Sequence, residues 1–116
     1  MKNKGAIITS IYLNILWIIV CYAIALSSCD DPLLFTFITS GIHGASMWII
    51  SSLIFNLIKH NKTGPIDAAI ITIPSLLGAF VGMLLENAPT VICYIAPVFF
   101  MLCTTLLFLY RINKAL

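Results

Sequence analysis

Charge is what this sequence has least of. Its 116 residues include six Lys and Arg and four Asp and Glu, 9% charged in all, where a soluble domain carries about a quarter. Hydrophobic residues make up 61% and the mean hydropathy is +1.10. A water-soluble core of this size cannot hide so much apolar surface, so the excess must face lipid. A net charge of +2, with the basic residues at the ends of apolar runs, argues against nucleic acid as a partner.

Other shortages exclude chemistry. There are two histidines, His43 and His60, and His60 falls in a loop, so one chain cannot supply the paired axial ligands of haem b. Four cysteines occur without a CxxC, which counts against membrane thiol oxidoreductases. Neither a serine elbow nor a Gly-rich phosphate loop is present, and no carboxylates are paired near the membrane surface. No catalytic residue, cofactor or metal is expected, and the chain reads as non-enzymatic. Cys29 and Cys93 fall near the outer face, where an oxidising compartment would let them bridge, while Cys21 and Cys103 lie deeper as small apolar residues.

What is present is four apolar runs, Gly5 to Ser27, Leu33 to Leu57, Ile66 to Leu85 and Val91 to Tyr110. Each is long enough to cross about 30 Å of hydrocarbon as a helix. The spacing predicts helices over about 5–27, 32–58, 65–86 and 90–110 in one membrane domain, 1–116. The first run is too long for a signal-peptide core and no A-x-A-like cleavage site follows it, so it reads as a span. All six basic residues lie in "MKNK", "KHNKTG" and "RINK", whereas "SSCDDP" and "ENAPT" carry only Asp30, Asp31 and Glu86. The positive-inside rule then puts both termini and the second loop in the cytoplasm. The expected fold is an all-α membrane protein, an antiparallel four-transmembrane-helix bundle, N-in/C-in.

Helix ends and packing faces have their own signals. Asp31 can cap the second helix with Pro32 at its first position, and Pro65 repeats that role for the third. Asp67 lands in the third helix's first turn, where a carboxylate meets the positive end of the helix dipole. The alternative for Asp67 is a proton or cation site at the cytoplasmic mouth. Pro74 and Pro97 should bend the third and fourth spans. Ser75, Gly78, Ala79 and Gly82 form a small-residue face, with Gly78 and Gly82 spaced as GxxxG. Ser40, Gly41, Gly44 and Ala45 form another on the second span. Such faces pair within one chain or between two.

His43 lies 11 residues from Pro32, roughly 16 Å into the membrane at 1.5 Å per residue. Thr36, Thr39, Ser40 and Ser46 share its side of the helix. An intramembrane ionisable group is a functional candidate that should face the bundle interior; the alternative is an interhelical hydrogen bond. Asn14 on the antiparallel first helix is level with it, so the depths predict that helices 1 and 2 meet through Asn14 and His43.

In size and span count the chain resembles small multidrug resistance transporters, which work as dimers around a glutamate in the first helix. The first span here holds no acid, so the coupling residue is missing. "CDDP" before an apolar run resembles the small third subunit of respiratory complex I, whose acidic second helix has no counterpart here.

Three function classes follow. The first is a non-catalytic protein of a bacterial inner membrane acting by helix–helix contact with a membrane partner, as an immunity or exclusion factor or an accessory subunit. The partner is a second copy of the chain or another membrane protein, with the lipid bilayer around both. The second is a holin-like pore former, disfavoured by the lack of a charged C-terminal segment. The third is a small oligomeric transporter or channel with His43 and Asp67 on its pathway.

Overall fold

The computed structural model describes residues 4–28, 32–59, 64–84 and 89–115, with the side chains of 32–34, 59 and 115 left aside. Asp31, Cys29, His60, Lys62 and Glu86 lie outside the described residues. Among the described residues there are four α-helices: α1 (Lys4–Ser28), α2 (Pro32–Lys59), α3 (Gly64–Gly82) and α4 (Thr90–Ala115). Each is long and apolar enough to cross a membrane, which marks a multi-pass membrane protein.

Two helix ends differ from the sequence expectation. α3 closes at Gly82, before the expected 86, and Met83 and Leu84 form a turn. Their N–H groups donate to Phe80 O (3.1 Å) and Val81 O (2.8 Å), the tighter i→i−3 pattern of a closing helix. α4 runs past Tyr110 to Ala115. Cations suit the negative end of a helix dipole, and Lys114 places its ammonium 4.8 Å from the Tyr110 ring centroid.

Neighbouring helices are related by their contact pairs. Along α3, Gly64 meets Ser52 and Asn56, Gly44 meets Ser75, and Gly82 meets Phe37, so α2 and α3 run in opposite directions. Asp67 to Arg111, Ser75 to Thr104 and Gly78 to Phe100 give the same opposition between α3 and α4. α1 lies against α2 and α4 but not alongside α3.

The interior is more polar than the outside. Thr36, Thr39, Ser40, His43 and Ser51 on α2, Thr72 and Ser75 on α3, and Thr104 on α4 are buried, while Leu13, Leu57, Leu76, Phe80, Phe99 and Leu106 are exposed. This sorting is what lipid imposes. Hydrocarbon solvates Leu and Phe as well as a core does, so burial rewards small size and hydrogen bonding. Apolar packing completes the two ends. Ile7, Met47, Phe55, Ile71, Phe108 and Ile112 cluster towards one. At the other, the Phe35 ring lies 4.9 Å from that of Tyr22, edge-on, and 4.8 Å from that of Tyr94.

Candidate functional site: the intramembrane polar cluster

His43 is fully buried on the face of α2 turned to α3. Gly44 beside it brings the two backbones together: a Cβ there would stand 3.1 Å from Ser75 Cβ. At that approach His43 Nδ1 lies 3.0 Å from Ser75 Oγ, and Ser75 Oγ lies 2.7 Å from Thr104 Oγ1. The Ser75 N–H also donates to Thr104 Oγ1 at 3.1 Å. Pro74 immediately precedes it, and proline weakens the local helix ladder, so Thr104 receives an amide at the place where the ladder is poorest. One chain of hydrogen bonds thus joins α2, α3 and α4.

The proton order along that chain has three solutions for an uncharged imidazole. Thr104 donates to Ser75 and Ser75 donates to Nδ1, or Nδ1–H donates to Ser75 and Ser75 donates to Thr104, or Ser75 Oγ accepts from both Nδ1–H and Thr104. Among the described residues Nε2 has no hydrogen-bond partner in any of these cases. Ser40 Oγ, Ser51 Oγ, Thr105 Oγ1 and Asn14 Oδ1 are likewise buried without one.

Asn14 and His43 do not meet as the depths predicted. The Asn14 Nδ2 group donates to Ser10 O on its own helix at 2.7 Å, and His43 turns to α3. Depth fixes level but not direction around the helix, and a hydroxyl on α3 faced the imidazole instead. The link between α1 and α2 is a different pair at nearly the same level: Trp17 Nε1–H donates to Ser46 Oγ at 2.8 Å, and Ser46 donates back to Ile42 O at 2.7 Å. Tyr22 Oη donates to Tyr94 O at 3.0 Å, tying α1 to α4.

The chain matches no family model, no curated protein and no solved structure. What the cluster can do therefore rests on its own side chains. Among the described residues no three His, Cys, Asp or Glu converge to hold a metal ion. Asp67 is buried in the first turn of α3, with Oδ1 3.7 Å from Arg111 Nη1 on α4. Asn56 Oδ1 accepts the Gly64 N–H at 2.9 Å, satisfying one of the unpaired amides that open α3.

The small-residue faces resolve one glycine at a time. A Cβ on Gly82 would lie 2.6 Å from Phe37 N on α2, and one on Gly78 would lie 2.7 Å from the Phe100 ring on α4. The two glycines of the GxxxG therefore serve two different neighbours in the same chain. Gly41 has nothing within 4 Å of an added Cβ and makes no close approach. Cys93 is buried, and its carbonyl accepts from Thr36 Oγ1 at 2.8 Å; a bridge to Cys29 concerns a residue outside those described.

Sequence reasoning missed Thr104 and Trp17, and placed Ser75 among packing residues only. The expected helix ends hid the pairing: counted from 65 and 110, Ser75 and Thr104 stand at different depths. Only with α4 continued to Ala115 are both hydroxyls 11 residues from the same end.

Proposed function

We propose that this chain is a small, non-catalytic protein of a bacterial inner membrane. It acts by lateral helix–helix contact with another membrane protein, as an immunity or exclusion factor or an accessory subunit. One observation carries this. The imidazole Nδ1 of His43, the hydroxyls of Ser46, Ser75 and Thr104, and the glycines Gly44, Gly78 and Gly82 engage partners inside the chain, and the surface left on all four helices is mostly apolar. Such a surface offers shape and van der Waals contact to a neighbour, not a reaction or an aqueous path.

In this proposal the bundle stands N-in/C-in. The support is the one-sided distribution of Lys and Arg, together with the shared end of the molecule at which α1 and α3 begin and α2 and α4 finish. Reporters fused after Lys62 or Leu116 should behave as cytoplasmic, and one inserted between Ser28 and Asp31 as external. A periplasmic C-terminus would overturn the arrangement.

The partner reading is tested with a photo-crosslinking amino acid placed in turn at Leu13, Ile19, Phe80, Ile95 and Leu106, all lipid-facing. The expected result, in the native host membrane, is a discrete protein adduct from one face and lipid adducts from the others. Lipid adducts at every position would contradict it.

A second reading, a small transporter or channel, draws on the buried polar atoms without partners, His43 Nε2, Ser40 Oγ, Ser51 Oγ and Thr105 Oγ1. Intramembrane polar groups of this kind line solute and proton paths in transporters. Solute or proton flux in proteoliposomes that disappears with His43→Gln, in a protein that still folds, would move this reading to first place.

A further inference from the structure

Pro74 and Pro97 each leave a gap in a helix ladder, and beside each a hydroxyl from another helix bonds the backbone. At Pro74 that hydroxyl is Thr104, which receives the Ser75 N–H. At Pro97 the missing N–H leaves Cys93 O, four residues earlier, without its helix donor. Thr36 Oγ1 on α2 donates to that carbonyl at 2.8 Å. The next carbonyl, Tyr94 O, accepts from Tyr22 Oη on α1 at 3.0 Å. Pro97, Cys93 and Thr36 are all fully buried.

Pro97 also stands where α3 stops. Asp67 to Gly78 is eleven residues of α3, and Phe100 to Arg111 is eleven of α4, so the two helices keep level. The four residues from Gly78 to Gly82 then bring the end of α3 level with Ala96. On the Ala115 side of Pro97, α4 is fixed to α3 at Phe100, Thr104 and Arg111. On the Thr90 side, residues 90–96 have no helical turn of α3 beside them. They lean on α1 and α2, through the two carbonyl bonds and the Tyr94 ring, 4.8 Å from that of Phe35.

These are the parts of a hinged arm. A proline forms the pivot, the helix on one side of it is firmly held, and the short segment on the other is not flanked by α3. Its latch is two hydroxyls, both ending on the backbone of the arm.

We propose that residues 90–96 swing about Pro97 towards lipid when the Tyr22 and Thr36 bonds release, opening that end of the bundle. Seven residues rise about 10 Å, so a kink of about 25° carries the tip about 4 Å. The movement uncovers Thr36 and, one turn deeper, Thr39, the buried hydroxyls between that end and His43 on α2. It rests on contacts within the chain and on no reading of its partner.

The test measures spin-label distances in the full chain, with its cysteines reduced, in phosphatidylcholine nanodiscs. Nitroxides carried on a ketone-bearing amino acid sit at lipid-facing Val91 on the arm and Leu76 on α3, with Leu106 and Leu76 as the control pair. Thr36→Val together with Tyr22→Phe removes both hydroxyls and keeps the side-chain shapes. The distance from Val91 to Leu76 should then shift by about 4 Å, while that from Leu106 to Leu76 stays fixed. Adding Pro97→Ala returns an N–H to Cys93 O and should cancel the shift. An unmoved arm in the double variant would overturn the proposal. So would an equal shift in both pairs, or a shift that survives Pro97→Ala. Tyr22→Phe alone leaves the buried Thr36 intact and should give a smaller shift of the same sign. Its absence overturns the proposal where the double variant does not fold.

Discussion

α2, α3 and α4 are joined by a continuous hydrogen-bond chain and by glycines at near-contact with neighbouring helices, whereas α1 is hydrogen-bonded to them through Trp17 and Tyr22 and leaves a groove beside Asn14. α1 is not the less apolar helix. Ile8, Leu13, Ile15, Leu16 and Ile19 give it ample hydrophobic surface, and most of that surface is exposed. The difference shows what holds helices together in lipid: with hydrocarbon on the outside, apolar area contributes little to association, and close approach and polar links decide. α3, the shortest helix, is the most firmly held because four of its positions, Gly64, Ser75, Gly78 and Gly82, meet a neighbour directly.

The contrast can be broken at its strongest contact first. Gly82→Ile drives a branched side chain into the backbone of α2 and should cost about 3 kcal/mol, the upper range for overpacking. Gly78→Ile meets Cβ and Cγ at the root of the Phe100 side chain, which no rotamer change removes, so α3 and α4 must shift apart and about 2 kcal/mol is expected. Gly41→Ile, with open space before it, should change stability by less than about 0.5 kcal/mol. Reversible unfolding in mixed micelles measures all three, and equal losses from Gly82 and Gly41 would show that the α2–α3 approach does not exist.

A smaller effect is expected at the hydrogen-bond chain. His43→Leu should destabilise by an amount on the order of 1 kcal/mol. His43→Gln should retain most of the stability, because an amide both donates and accepts.

The smallest is expected at α1. Trp17→Phe removes the bond to Ser46 and should cost about 0.6 kcal/mol, near the mean for interhelical hydrogen bonds in membranes. A loss as large as that of Gly82→Ile would put α1 on the same footing as the other helices and erase the comparison.

Much of the fold was legible because hydropathy and punctuation are local. Apolar runs bounded by Lys, Asp and Pro gave the four helices to within a few residues, apart from the last turn of α3 and the extension of α4 through Arg111 and Lys114. The polar site was legible only as an inventory. His43, Asn14, Ser40 and Ser46 stand out against Leu and Ile, but which of them meet depends on rotation about each helix axis, which depth does not contain. Gly44 decided it: the missing side chain lets α3 come close enough for Ser75 to reach the imidazole. The GxxxG was likewise legible as a close-approach signal, without saying that its two glycines face different helices.

The most direct measurement is a pair of double-mutant cycles on His43, read by unfolding in the same micelles. His43→Leu combined with Ser75→Ala should cost less than the two single losses summed, with a coupling on the order of 1 kcal/mol, since both ends of one bond are gone. His43→Leu combined with Asn14→Leu should be additive, because each of these side chains bonds elsewhere. Additivity for Ser75 together with coupling for Asn14 would contradict the arrangement, and would return His43 to α1.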